Sequence, residues 1–302
     1  MGACPAVRPC GRVAHCWLTA HPLCPVETPM GDIPATDRPN AAGIYDYLLG
    51  GTMNTAADRA AADRTRAMLP ELAESAWANR GFLQRAVAHM SDKWGIRQFI
   101  DLGSGLPTQR CTHEVLAEHG PDGRVVYVDR DPTAIERANT LLRGVPGAVA
   151  LEADIRDVES VVSAPPTREL IDFAQPVGIL LVAVTQFLPD SDDPWALIRR
   201  YTAAVAPGSF VAISAPTSDM QSERLAQKIG SAIGRTTNGA VSRSRAEFTR
   251  FFDGLEIVPP YAGADPAVVH VGQWGAEDPE VADDAGSRWF YAAVARKPDG
   301  ER

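Results

Sequence analysis

"FIDLGSGLPTQR", residues 99–110, is the stretch on which the fold turns. An apolar run ends at Asp101 and Leu102, a Gly-x-Gly turn follows at Gly103, Ser104 and Gly105, and Pro107 and Thr108 open a helix expected over 107–118. Glycines there allow a tight turn and close approach of backbone to a ligand. A helix start behind the turn would aim free N–H groups and a positive dipole end at the same place. No Gly-Lys-Ser/Thr follows, which excludes a Walker A loop. The dinucleotide fingerprint is incomplete too, because Thr108 stands where its third glycine belongs. Asp101 decides the sign of the ligand. It sets a carboxylate where a pyrophosphate would approach, an unfavourable like-charge pair, whereas a sulfonium with an ammonium would suit it.

Outward from this loop the chain alternates short β-branched runs with helical stretches. Strands are expected at 97–102, 124–129, 148–154, 177–184, 209–215, 255–260 and 288–297, and helices at 107–118, 132–142, 155–163, 192–206 and 245–252. Continuous apolar strands read as buried on both faces, and strand–helix alternation implies a doubly wound parallel sheet. Ser244 with Glu247 forms a capping box for the last helix, and 259–286 reads as loop. Asp129 ends the second strand, where a carboxylate can accept both ribose hydroxyls, and Asp154 ends the third, placed to accept an adenine amino proton. Asp131 before Pro132 reads as a helix cap. Any one of these acids is a weak signal. Carboxylates at three successive strand ends beside one glycine turn form a much stronger one.

Upstream, residues 40–94 read as helical. Asn54 is the expected cap of a helix over 54–69, and a second helix is expected over 75–93, with Leu83, Val87, Met90 and Trp94 on one stripe. In "IYDYLLGGTMN" (44–54), Tyr45 and Tyr47 could stack on a ligand while Gly50 and Gly51 hinge, as in a lid. The same residues also fit an amphipathic helix ended by glycine. Arg80, at the edge of the buried stripe, wants an anion. The carboxylate of an amino-acid ligand is one candidate; Asp46 or Asp58 is the slightly favoured structural rival.

The 302 residues, 45% of them hydrophobic, can bury a substantial core, and the net charge of −9 argues against a phosphate-gripping protein. No run of 18 apolar residues suggests a membrane span, and the body reads as cytoplasmic. Cys4, Cys10, Cys16 and Cys24 have spacings of five, five and seven residues, which match no common zinc pattern even with His15 and His21 nearby. Residues 1–35 therefore read as a disordered leader, with Met30 a plausible start. Cys111 reads as a buried small hydrophobe, and His89, His113, His119 and His270 are given no role or metal.

The order acidic-Gly-x-Gly, then acids ending the second and third strands, resembles class I S-adenosylmethionine (SAM)-dependent methyltransferases. More narrowly, "PNAAGIYDYLLGG", "ANRGFLQRAV", "GIRQFIDLGSGLPT", "VVYVDRDP", "ILLVAVTQFLPDSDDPWALI", "VAPGSF" and "SRAEFTRFFDGLEIV" resemble an actinobacterial SAM methyltransferase-like family formerly labelled a domain of unknown function, over roughly residues 38–297. The resemblance implies a Rossmann-like α/β fold with a doubly wound seven-stranded sheet, its last strand ("RWFYAAVARK") antiparallel. A helical lid over 36–95 would precede the SAM-binding domain, 96–302. The donor site is then Asp101, Gly103, Ser104, Gly105, Thr108, Asp129, Arg130, Asp154 and Ile155, with Arg80. Members of the family often carry His after the fourth strand, where this chain has Gln186. Tyr45, Tyr47 and Gln186 are the catalytic candidates on the acceptor side. No Asn-Pro-Pro-Tyr-like or Pro-Cys motif points to nucleic acid, so a small-molecule methyl acceptor is expected and the oligomeric state stays open. A non-catalytic SAM-binding protein is the alternative, and an NAD-dependent oxidoreductase a less favoured one.

Overall fold

Among the described residues the apolar runs become eight strands: β1 (Gln98–Leu102), β2 (Arg124–Asp129), β3 (Ala148–Glu152), β4 (Gly178–Val182), β5 (Phe210–Pro216), β6 (Glu256–Ile257), β7 (Val269–His270) and β8 (Phe290–Arg296). They form one sheet in the order β3-β2-β1-β4-β5-β8-β6. The pairs among β1 to β5 are parallel, and β8 runs antiparallel between β5 and β6. The expected seven strands are joined by one more, because Val269–His270, inside the segment read as loop, pairs with the outer edge of β8. In this computed structural model residues 38–219 and 240–299 are described, all within the unit Ala35–Arg302. The leader expected over 1–35, with its four cysteines, lies outside the described residues.

Alternate strand residues face opposite layers, the period of two that an extended chain imposes. Ile100, Leu102, Val126, Val128, Ile179 and Leu181 meet one layer, which includes Val161, Ile198 and Phe251. Phe99, Val125, Tyr127 and Leu180 meet the other, built on Phe82, Val87 and Met90. Burial on both faces is why these strands read as unbroken apolar runs.

Among the described residues the helices are α1 (Ala41–Leu48), α2 (Ala56–Arg66), α3 (Leu72–Trp94), α4 (Thr112–Glu118), α5 (Pro132–Leu141), α6 (Val158–Val162), α7 (Pro165–Leu170), α8 (Pro194–Ala204) and α9 (Arg245–Thr249). Asp131 and Ser244 cap α5 and α9 as expected. The cap of α2 is Thr55 rather than Asn54, in a reciprocal capping box with Asp58. Asn54 instead donates to Asp46 Oδ2 and to the Gly51 carbonyl. The helix expected from 107 starts only at Thr112, because Gln109 (φ 59°) and Arg110 (φ 54°) are left-handed. The helix expected over 155–163 is the shorter α6, and α7 follows beyond that span as a separate helix. β4 stops at Val182 rather than 184 because Ala183 turns to φ 54°, an uncommon conformation for a residue with a side chain.

Within the N-terminal helices, α3 is a layer of the core as much as a wall over the sheet. Phe82, Ala86, Val87 and Met90 are fully buried. α1 and α2 are tied together by two buried acids. Asp58 accepts from the amides of Asn40 and Thr55 and from the Thr55 hydroxyl. Asp46 accepts from the Met53 amide and Asn54 Nδ2, and across the molecule from Thr108 Oγ1 at 2.8 Å.

Candidate active site

Above the C-terminal ends of β1 to β5 lies a cavity of about 530 Å³, roofed by α1, α2 and α3. Its position at the strand ends follows from the fold, since open parallel sheets leave their crevice there. Its size is within the ~300–1,000 Å³ of small-molecule sites.

The floor is the loop after β1. Gly103 takes φ 69°, and a Cβ there would lie 2.1 Å from Val184 Cγ2, so the backbone can pass only as glycine. The loop hangs on β2. The Gly103 and Ser104 amides donate to the Val128 carbonyl, and the Gly105 amide donates to Asp129 Oδ2 at 2.8 Å. The other oxygen of Asp129 accepts from the Asp131 amide at 2.9 Å. Burial pushes the Asp129 carboxyl up, opposed by these amides. Asp101 is 5% exposed and accepts from Thr112 Oγ1 at 2.9 Å. Burial pushes it up to about 6, with the Thr112 hydrogen bond and the charge of Arg80 opposing. Asp154 lies two residues beyond β3 and is clasped by Arg156, whose Nε sits 3.0 Å from each carboxylate oxygen and whose Nη2 also reaches Oδ2. This contact holds its carboxyl below the usual range. Arg156 was not singled out in the sequence, although it stands two residues on in "LEADIRD".

Gly103, Ser104, Gly105, Thr108, Asp101, Asp129, Arg130, Asp154, Ile155 and Arg80 all line this cavity. Two qualifications follow from the helix that starts late. The N–H groups expected behind the loop at 107 are absent from it, since α4 is capped by its own Glu114 carboxylate. Thr108 gives its hydroxyl to Asp46 and so pins the loop to α1.

Arg80 overturns the structural rival favoured for it. Neither Asp46 nor Asp58 reaches it; both are occupied by α1 and α2. Among the described residues no carboxylate lies within ion-pair distance of Arg80, and its Nε is buried without a hydrogen-bond partner. Its guanidinium lies 5.5 Å from the centre of the Tyr45 ring. A buried cation with no carboxylate in direct contact, only the longer-range charge of Asp101, is costly, so the cavity could take an anionic group beside Arg80.

Of the three acceptor-side candidates, Tyr45 and Gln186 line the cavity and Tyr47 does not; the Tyr47 hydroxyl turns to Asp63 Oδ1 on the exposed side. The Tyr45 phenol donates to the Ala76 carbonyl and accepts from Asn79 Nδ2. Burial raises its pKa, with Arg80 and Asn79 opposing, so it is a neutral support rather than a base at pH 7. Gln186 is 8% exposed and donates Nε2 to the Ala183 carbonyl at 2.7 Å. Ala183 is held in turn by Ser214 Oγ, which donates to Asn79 Oδ1. Asn79 and Ser214, missed in the sequence, thus link α1 and α3 to the turn after β4. Gly50 and Gly51 fit the helix-end reading: α1 ends before them, and a Cβ on Gly51 would lie 2.1 Å from Asp46 Oδ1. Cys111 is buried as expected, its thiol pushed up to about 12 by burial. Among the described residues no group of three or more His, Cys, Asp or Glu could hold a metal.

A sheet of this order with one antiparallel strand, and an acid-lined crevice at the ends of β1, β2 and β3, defines the class I methyltransferase fold. A family model described as S-adenosyl methyltransferase matches residues 29–298. The chain is 36% identical to a protein from Thermobifida fusca YX described as a candidate methyltransferase, with a TM-score of 0.79 over 87% of this chain and 96% of that one. It is 35% identical to a DUF574 family protein from Streptomyces avermitilis MA-4680, also at a TM-score of 0.79, over 87% of this chain and 99% of that one. No curated protein matches the chain. The chain belongs to the S-adenosyl methyltransferase family, and its cofactor is S-adenosylmethionine. No helix among the described residues is long and apolar enough to cross a membrane.

Proposed function

We propose that this chain is an active methyltransferase that carries a methyl group from SAM to a small-molecule acceptor held in the same cavity, beneath a lid formed by α1 and α2. The observation that carries this reading is the buried Arg80, which no carboxylate among the described residues pairs, in one cavity with the buried Asp101 and the Asp129 carboxylate. SAM bears a carboxylate, a cationic ammonium and sulfonium, and a ribose diol, and this donor set matches each of them. When bound, it supplies a methyl already activated by its sulfonium, so the protein must mainly align and desolvate.

Arg80 would take the amino-acid carboxylate as a charge-assisted pair. Asp101 would face the positive charges. Asp129 keeps lone pairs free beyond its two amide contacts and would accept the ribose hydroxyls. Asp154, oriented by Arg156, would accept from the adenine amino group beside Ile155. Enclosure by the roof supports a small acceptor over a polymer, and the acidity of the chain supports one that is not nucleic acid. We place the activity in the cytoplasm, with no membrane partner.

Incubating the full chain with methyl-labelled SAM and an actinobacterial metabolite extract tests this reading. Label in a small product is expected; label on protein would replace the acceptor class. No transfer despite SAM binding would favour a regulatory SAM-binding protein, a reading that gains some support from Gln186 having no basic atom.

Removing Asp129 is expected to weaken SAM binding by about 1–3 kcal/mol, the range for a lost buried hydrogen-bond partner. Calorimetry on Asp129→Ala checks this, and an unchanged affinity would move the ribose site elsewhere. Asp101 gives the pH dependence. Its pKa is raised on folding, from 3.8 to about 6. The free protein therefore takes up a proton on folding, and its stability from this group is greatest below the unfolded value and declines as pH rises through about 6. The ammonium shared by SAM and S-adenosylhomocysteine prefers the ionised carboxylate, so affinity moves the opposite way. Between pH 7 and pH 5 the affinity for S-adenosylhomocysteine is expected to fall about ten-fold. An affinity flat across that range in the wild type would place the ligand's charge away from Asp101.

A further inference from the structure

The sheet order divides the cavity. The acids assigned to SAM stand at the ends of β1, β2 and β3, on one side of the glycine loop. The other side, beyond β4, is walled by Phe187, Leu188, Pro216, Trp289 and Phe290, and no charged side chain from β4, β5, β8 or the turns beside them lines it among the described residues. Gln186 stands on this side, on the turn that follows β4.

The orientation of its amide is fixed by chemistry. The Ala183 carbonyl can only accept, so the group 2.7 Å from it must be the amide NH2. The other end of the amide is therefore the carbonyl oxygen. That oxygen is buried and has no hydrogen-bond partner among the described residues. Burying an acceptor unsatisfied carries its full desolvation penalty, which a bound donor relieves.

Resting on the methyltransferase reading above, we infer that the acceptor is an uncharged, largely apolar molecule whose nucleophilic atom carries a hydrogen, a hydroxyl or an N–H, donated to Gln186 Oε1. Gln186 is then the residue that selects and orients the acceptor. With its hydrogen held by Oε1, the nucleophile turns a lone pair toward the methyl. Transfer forms the bond from that lone pair to the methyl carbon, the S–C bond breaks with its electron pair left on sulfur, and the proton leaves to water, because an amide has no basic atom to keep it. A carboxylate acceptor fits neither feature. It would set lone pairs against the Gln186 carbonyl and bury its charge among aromatic and aliphatic walls.

The test uses the full chain saturated with S-adenosylhomocysteine and reads equilibrium binding of four size-matched probes by calorimetry. They are 2-naphthol, 2-aminonaphthalene, 2-methoxynaphthalene and 2-naphthoate. The naphthol and the amine, which separate O–H from N–H acceptors, are the donors. At least one of them is expected to bind about ten-fold or more tightly than the ether and the carboxylate, since a site built for a donor rejects analogues without one. Gln186→Leu is expected to erase that preference while leaving S-adenosylhomocysteine affinity unchanged, and Gln186→Glu, which still accepts, to keep it. Equal binding of 2-naphthoate, a preference that survives Gln186→Leu, or no binding of any probe would overturn the assignment. A loss of S-adenosylhomocysteine affinity in Gln186→Leu would overturn it too, by showing that the side chain serves the donor. Failure of the wild type to bind S-adenosylhomocysteine would instead remove the SAM site itself, and this inference with it.

Discussion

Replacing Arg80 with methionine is expected to lower affinity for S-adenosylhomocysteine by about 2–3 kcal/mol, roughly 30- to 150-fold, while the melting temperature stays level or rises. The two halves of this expectation have one cause. Arg80 is 7% exposed, its Nε has no hydrogen-bond partner, and no carboxylate pairs with it among the described residues. A cation in that position is a burden to the free protein and an asset only to a complex with an anion. Methionine has similar length, fills the space beside Tyr45 and removes the charge. The substitution also withdraws the cation that opposes the rise at Asp101, so the pH dependence of binding should move upward with it. Calorimetry and thermal unfolding on the same preparation check both halves. A melting temperature that falls while affinity is retained would make Arg80 a structural residue.

Gly103→Ala is expected to destabilise the chain by about 2–4 kcal/mol, combining left-handed backbone strain with overpacking, and to remove donor binding. The added Cβ would lie 2.1 Å from Val184 Cγ2. That side chain has little room to withdraw, because Val184 is itself 8% exposed and follows the left-handed Ala183. Gly144 provides the control. It has a similar φ of 78° and nothing within 4 Å of its Cβ position, so Gly144→Ala should show the backbone strain alone. The difference between the two in chemical denaturation measures the contact with Val184. Equal losses would mean that the loop can shift away from β4.

The parallel sheet was legible because both of its faces are buried, so the strands had to be apolar without interruption. The acids at 101, 129 and 154 were legible because strand ends and glycine turns leave local signatures. What escaped was set by partners distant in the chain. The left-handed pair Gln109 and Arg110 hands its carbonyls to Gln84 Nε2 on α3, and this tertiary contact delays α4 past the local start signal of Pro107. Asp46 looked free to pair with Arg80, yet it collects Met53, Asn54 and Thr108 instead. Tyr47 could not be told from Tyr45 by composition; the turn of α1 sends one to Asp63 and the other over the cavity. Val269–His270 pairs with β8 although two residues carry no periodic signal.

Calorimetric titration of the full chain with SAM, beside Asp129→Ala and Arg80→Met, tests the central claim most directly. One SAM per wild-type chain is expected, with weaker binding in both variants and none of NAD. Binding of NAD in place of SAM, or SAM affinity untouched by both substitutions, would contradict the donor site described above the ends of β1, β2 and β3.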